Sequence, residues 1–294
     1  MNDEQARFKT SRLTLEKFFG KYSAHDQRPF LHPPAHALAL QIRERPLMRV
    51  AAIYDIHGNL PALEAVLQDI RRAEVDQIVV GGDVVPGPMP RESLACLLNL
   101  DVPIQFIHGN GDAAVLAERA GMAPAIPEQA RAAVRWVAQQ LHPQDESMLA
   151  SWPMTLRVMI PGLGEVLFCH ATPSSDTEIF TRLTPEERLV PVFEMLNVSV
   201  VVCGHTHVQF DRMIGATRVV NAGSVGMPFG EPGADWLLLG PAIELRHTSY
   251  DLAQAAERIR STNFPQAENF AVHNILQPPS EKAMLEVFVK AELK

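Results

Sequence analysis

Five apolar runs in this sequence each end on residues able to bind a cation. V-A-A-I-Y leads into Asp55 and His57, Q-I-V-V-G-G into Asp83, and P-I-Q-F-I into Asn110 two residues past His108. E-V-L-F-C ends on His170, and V-V-V-C-G runs into His205 and His207. Each has a bland explanation: Asp83 can cap the next helix, His170 can be a satisfied core histidine, and Asp-x-His at 55–57 can be a cap beside a buried ring. Five coincidences of one kind are better explained by one shared site. Together these residues supply two carboxylates, four imidazoles and one amide, enough to hold two divalent cations with one bridging ligand. Imidazole with carboxylate and amide oxygen suits Mn, Fe, Zn, Co or Ni, and no cysteine stands at a ligand position. Two such ions ~3.5–4 Å apart can clamp a phosphoryl group from both sides. Two divalent ions outweigh the charge of Asp55 and Asp83, so the pocket would attract anions.

These residues need elements that bring strand ends together. From Met48 the pattern alternates: a strand at 48–55, a helix at 61–72 with Leu63, Val66, Leu67 and Ile70 on one face, and a strand at 77–81. A helix at 90–99 and a strand at 103–107 follow. Strands separated by single helices imply parallel βαβ units, with ligands bound at the C-terminal strand edge. Residues 113–150 read as a helical insertion, in which Pro127 begins a helix with Ala130, Val134, Val137 and Leu141 on one face and Pro143 ends it. This insertion is either a lid over the site or packing against a sheet edge. Strands are expected at 164–170, 198–203, 217–221, 235–239 and 242–249, and helices at 251–260 and 280–290. Residues 1–47 lack sustained periodicity and carry Pro29, Pro33, Pro34, His25, His32 and His36. They are expected to be a flexible extension, or sequence upstream of a native start at Met48, leaving one domain at 48–294.

Composition narrows the function classes. A chain of 294 residues, 47% hydrophobic and 20% charged, can bury a large core. Its net charge of -8 argues against a broad nucleic-acid or anionic-membrane surface. No apolar stretch approaches the ~18 residues of a membrane span. Cys96, Cys169 and Cys203 lie in apolar contexts and do not form a disulfide framework, so a cytoplasmic location is expected.

The ordered series D-x-H-G-N, G-G-D, G-N-x-D, a lone His after a strand and G-H-T-H resembles the calcineurin-like metallophosphoesterase superfamily over roughly residues 48–250. The resemblance implies a four-layer α/β/β/α sandwich of two mixed sheets, here with a helical insertion. It implies that Asp55, His57 and His207 hold a first metal, that Asn110, His170 and His205 hold a second, and that Asp83 bridges them. Manganese stands first among the metals. Asp83, Asn110 and His205 are then the catalytic members of the set, and a metal-bridging hydroxide is the implied nucleophile.

Departures from the pattern carry information. Many members of the superfamily have His after the Asn, where this chain has Gly111, so that aid to the leaving group is missing. Either another group assists, for instance from the insertion, or leaving groups of low pKa are preferred. Asp112, which orients that His in the family, is left to cap the following helix. The protein-phosphatase branch reads G-D-x-V-D-R-G where Val85, Pro86 and Gly87 stand here, which argues against that branch. The stretch Asn221 to Gly226 resembles the N-P-G-S-V-G loop of the compact bacterial and archaeal phosphodiesterase-like branch. The expected function is hydrolysis of small-molecule phosphodiesters or phosphomonoesters, without long nucleic acid or membrane as partner; a homo-oligomer is compatible with the sequence. The rival is a metal-binding scaffold for protein contacts, a use the superfamily includes in a retromer subunit. His108, the loop Thr172 to Asp176, and Phe229 are thinner candidates for substrate contact.

Overall fold

Two five-stranded sheets face each other in a computed structural model that describes residues 48–124 and 126–292. The expected extension at 1–47 lies outside the described residues. The first sheet contains β1 (Val50–Ile53), β2 (Gln77–Val80) and β3 (Ile104–Phe106). The second contains β4 (Thr155–Ile160), β5 (Gly164–Cys169), β6 (Val200–Cys203), β7 (Phe210–Ile214) and β8 (Thr217–Asn221). The chain then returns to the first sheet with β9 (Ala234–Leu239) and β10 (Ile243–Thr248). Strand orders are β10-β9-β1-β2-β3 and β4-β5-β6-β8-β7. In the first sheet β1, β2 and β3 are parallel, and β9 runs antiparallel to β1. In the second, β5, β6 and β8 are parallel, with antiparallel β4 and β7 at the edges. Both sheets are therefore mixed.

Strand periodicity assigns the layers. Val50, Ala52 and Tyr54 point between the sheets, where they meet Val166, Phe168 and Val202. Ala51 and Ile53 point the other way, toward helices α1 (Leu60–Arg72) and α2 (Pro90–Leu98). On the far face of the second sheet, Leu167, Val201 and Val219 pack on Leu189 and Phe193 of α6 (Glu186–Phe193). The result is the expected helix–sheet–sheet–helix order. Each of Leu63, Val66, Leu67 and Ile70 on α1 is buried, worth about 1.5–3 kcal/mol apiece.

The expected elements are present, with boundaries moved by a residue or two, and others were not foreseen, among them β4, β7 and α6. β4 and β7 are edge strands whose outward residues include Met159 and Met213, both exposed. An apolar residue on the solvent face blurs the alternation that marks a strand. Helix α6 holds Pro191 in its interior, which argues locally against a helix. The insertion forms α3 (Asn110–Arg119), α4 (Glu128–Gln140) and α5 (Pro143–Leu149). Pro143 thus starts a helix of its own, at the position where a missing N–H costs nothing. After α7 (Leu252–Arg260), a short α8 (Ala267–Phe270) runs into a π-helical stretch at Ala271–Leu276, and α9 (Glu281–Ala291) follows. No helix among the described residues is long and apolar enough to cross a membrane.

Candidate metal centre

The turns leaving β1 and β2 stay paired beyond the strands. The N–H groups of Asp55, His57 and Gly58 donate to the carbonyls of Gly82, Asp83 and Val84 at 3.1, 2.8 and 2.9 Å. From the other sheet, the loop 221–226 clamps the same turn. Ser224 Oγ donates to the Asp55 carbonyl at 2.8 Å, Gly226 N to the same oxygen at 2.9 Å, and Asn59 Nδ2 to the Gly226 carbonyl at 2.9 Å. Asn59 Oδ1 meanwhile accepts the Ala62 N–H and caps α1. Tyr54 spans the two sheets, its hydroxyl donating to the Val202 carbonyl at 3.1 Å.

Held this way, the ligand-type residues adopt backbone conformations that are costly for them. Asp55, His57, Asp83, His205 and His207 all have φ between 50° and 66°. Left-handed conformations in non-glycine residues cost ~1–3 kcal/mol each and cluster at functional sites. Among the described residues only Glu74 and Asn197 share this feature outside the predicted set.

The imidazoles are aimed by backbone carbonyls. Nδ1 of His57, His170 and His207 lies 3.2, 2.8 and 2.9 Å from the carbonyls of Pro86, Gly81 and Met227. A carbonyl only accepts, so each Nδ1 carries the proton and each Nε2 is left as an acceptor or ligand. Those Nε2 atoms converge. His57 Nε2 is 3.2 Å from His207 Nε2, and His170 Nε2 is 3.0 Å from Asn110 Oδ1. Asp55 Oδ1 lies 3.3 Å from His207 Nε2 and 3.8 Å from Nε2 of both His57 and His170. It is buried and has no hydrogen-bond partner. Acceptors facing one another at such distances need a proton or a cation between them, so the donor set fits divalent metal. Two groups have the spacing to hold an ion: Asp55, His57 and His207, and Asp55, Asp83 and His170. Asp83 Oδ2 is 3.7 Å from His57 Nε2 and 3.8 Å from His170 Nε2. Both carboxylates therefore touch both halves of the cluster. The His205 ring packs edge-on to His170 at 5.2 Å, and its backbone N–H donates to Asp55 Oδ2 at 2.9 Å.

Charge within the cluster is unevenly shared. Burial pushes the Asp55 carboxyl up, but His207, His170 and His57 outweigh it and hold the group well below the usual carboxylate range. Burial lowers His170 and His207, yet facing carboxylates raise both above an ordinary histidine: Asp83 then Asp55 for His170, Asp55 for His207. Burial and the nearby His207 lower His57. Burial and His170 push His205 down to about 4.

The sequence G-N-G-D is explained by its neighbours. Asn110 and Asp112 belong to the first turn of α3, not to a loop ahead of it. Asp112 is buried and accepts the N–H groups of Val84, Val85 and Gly109 at 3.0, 3.2 and 3.2 Å, tying α3 to the Asp83 turn. Burial and the charge of Asp83 push its carboxyl up to about 7. Gly111 N donates to Asp83 Oδ1 at 2.7 Å. A Cβ at Gly111 would fall 2.6 Å from Pro86 Cγ and 3.0 Å from both Asp83 carboxylate oxygens. Pro86 thus occupies the space that a side chain at 111 would need. Gly111→His is expected to destabilise by about 1–3 kcal/mol, as overpacking does, with no gain in phosphoesterase rate. Urea unfolding and a rate assay check this; a more active variant of unchanged stability would contradict it.

Five of the predicted residues, Asp55, His57, Asp83, His170 and His207, form the groups spaced for an ion; Asn110 adjoins them through His170, and His205 through its ring packing and backbone N–H. Among the thinner candidates, His108 Nδ1 is 3.6 Å from Asp176 Oδ2. Phe229 stacks on the His207 ring at 5.4 Å and so packs a ligand-type imidazole. The Thr172 loop is held by its own backbone pair with Ser175. Ser224 was not expected to matter; its signal was the small-residue loop, which does not say which hydroxyl reaches β1.

Comparison with known proteins bears on the family and the fold. A family model described as the calcineurin-like phosphoesterase superfamily domain matches residues 48–239. An uncharacterized protein of Methanocaldococcus jannaschii is 27% identical over 238 residues, covering 74% of this chain and 94% of that protein. The crystal structure of a metallophosphoesterase from Sphaerobacter thermophilus is similar with a TM-score of 0.60 at 26% identity, covering 77% of this chain and 97% of that one. A hypothetical protein from Pyrococcus horikoshii OT3 shares the fold with a TM-score of 0.69 at 21% identity, over 80% of this chain and all of that one.

Proposed function

The chain belongs to the calcineurin-like phosphoesterase superfamily, and on that premise we propose that it hydrolyses small phosphodiesters, and phosphomonoesters less well, at a binuclear metal centre. The observation that carries this reading is the buried, unpartnered Asp55 Oδ1 surrounded by three Nε2 atoms within 3.8 Å. Asp55, His57 and His207 would hold one ion and Asn110, His170 and His205 the other, with Asp83 spanning both. When bound, the ions would polarise the phosphoryl oxygens and make water nucleophilic at neutral pH; manganese is the first candidate.

The chain's own residues prepare this chemistry. Carbonyls of Pro86, Gly81 and Met227 fix three imidazoles as Nε2 ligands without further reorganisation. Buried Asp55 and Asp83 compensate the ions only in part, which leaves an anion-attracting site in an acidic protein. Gly111 offers no side chain to the departing oxygen. Ester arms that leave as stable anions are therefore favoured, and aryl diesters are the natural assay substrates.

The test begins with protein purified without chelators, its metal content measured, and aryl phosphodiester and phosphomonoester substrates supplied with Mn. The diester is expected to be cleaved at least as fast as the monoester, and chelator should abolish both activities. Bound metal without cleavage of either substrate would favour a metal-binding scaffold instead.

A further inference from the structure

A cavity of about 340 Å³ opens beside the metal centre, with His57 in its wall. Its size falls at the small end of the ~300–1,000 Å³ range of small-ligand pockets. The walls come from two segments outside the strand-end cluster. Helix α4 contributes Ala133, Val134 and Val137, and the segment after α7 contributes Phe264 and Phe270. The Phe264 and Phe270 rings stand 6.3 Å apart at 88°. Apart from His57, no lining residue carries a titratable side chain. A second phosphate entering here would find no cation to receive it.

Two further observations point to a ligand with a polar edge. Exposed Asn269 and half-buried Asn274 stand at the cavity's rim, and their side-chain amides make no hydrogen bond to any described residue, which leaves them open to a ligand. Asn274 sits in the π-helical stretch Ala271–Leu276, where Gln277 N reaches the Val272 carbonyl at 2.8 Å. Single π-turns inserted after an α-helix are uncommon and recur at functional sites. Here the turn places an amide with both donor and acceptor capacity in a recess whose polar lining is otherwise His57, Gln266 and Asn269.

We propose that this cavity receives one ester arm of the substrate, an uncharged planar ring bearing a hydrogen-bonding edge, while the phosphoryl group lies against the metal centre. The inference rests on the phosphoesterase reading above and adds the class of alcohol. His57 belongs to both sites, so a ring in the cavity and a phosphoryl group at the ions can be parts of one molecule. The apolar walls of α4 and Phe264 supply the affinity, and Asn269 and Asn274 select the edge. The helical insertion then serves both roles its sequence allowed, since Val134 and Val137 also pack in the core beneath the cavity.

Non-hydrolysable phosphonates test this on the full-length, metal-loaded chain by calorimetry. Phenylphosphonate is expected to bind at least about tenfold more tightly than methylphosphonate, because only the former buries a ring. A carbamoyl group at the ring's para position should improve affinity further. Ala133→Phe, which adds bulk to the cavity and removes nothing, should bring the phenyl-to-methyl ratio close to one at unaltered metal content. Should that variant fail to fold, Asn274→Leu gives a second reading: the carbamoyl advantage should vanish. Metal-dependent binding of methylphosphonate with no preference for the ring would overturn the cavity assignment and leave the phosphoesterase reading standing. A ring preference that survives Ala133→Phe would do the same. Failure of every phosphonate to bind the metal-loaded chain would overturn both.

Discussion

Asp83→Asn is expected to lower kcat/KM by more than ~100-fold and to reduce the bound metal, while the fold survives. Outer partners of metal ligands already cost ~10–100-fold when lost, and Asp83 stands closer than that: its Oδ2 lies 3.7 and 3.8 Å from the Nε2 atoms of His57 and His170. The substitution isolates charge from shape. Asn can accept the Gly111 N–H that Asp83 Oδ1 accepts at 2.7 Å. Asn also tolerates the left-handed backbone, φ 51°, that Asp83 adopts. What disappears is one of the two negative charges compensating the ions. Metal analysis beside steady-state rates separates the causes: reduced metal with a reduced rate supports the bridging role. A rate near wild type with full metal content would refute it.

How legible this site was depends on which property is considered. The strand ends were visible because each joins an apolar run to a residue type that seldom ends one without reason. Asp55, His57, Asp83, Asn110, His170, His205 and His207 could be listed from that pattern, and the ordered motifs supplied the order in which sheets must gather them. The central parallel strands were equally plain, being buried on both faces: β1 and β6 are apolar throughout. Edge strands β4 and β7 were not, since exposed Met159 and Met213 blur their alternation. Backbone conformation was also hidden. Nothing in D-I-H-G-N announces that Asp55 and His57 have positive φ, because that follows from long-range pairing with Gly82, Asp83 and the Ser224 loop.

Gly111 shows the limit from the other side. In the sequence it was a missing histidine; in the fold it is a position where a Cβ would crowd Pro86 Cγ and the Asp83 carboxylate. The pairing of Pro86 with Gly111 is a tertiary fact and could not be read from either residue alone. The same holds for the cavity beside His57, whose walls lie in α4 and in the segment at 264–274, more than a hundred residues apart in sequence. Periodicity placed Val134 and Val137 on one helical face but could not say what that face covers.

The second large effect concerns the turn itself, which is held between two glycines. A Cβ at Gly87 would fall 1.7 Å from the His57 carbonyl oxygen, and one at Gly226 would fall 1.9 Å from the Ile56 carbonyl oxygen. Neither clash can be relieved by a rotamer change, because the obstructing atoms are backbone. Relief requires moving the 55–58 turn, and with it Asp55 and His57, away from Asp83. Gly87→Ala and Gly226→Ala are each expected to cost about 3 kcal/mol of stability and to lose most of the bound metal. Gly240→Ala is the control: its Cβ would meet nothing nearer than 3.7 Å, and a change within about 0.5 kcal/mol is expected there. Urea unfolding of the metal-free proteins measures the packing cost without the contribution of metal binding, and metal analysis of the loaded proteins measures what the displaced turn does to the site. If Gly87→Ala and Gly226→Ala matched the Gly240→Ala control in both measurements, the turn would not be pinned as described. A stability loss with metal retained would mean that the strand end can shift while Asp55, His57 and Asp83 keep their spacing, so that loop 221–226 supports the fold and not the centre.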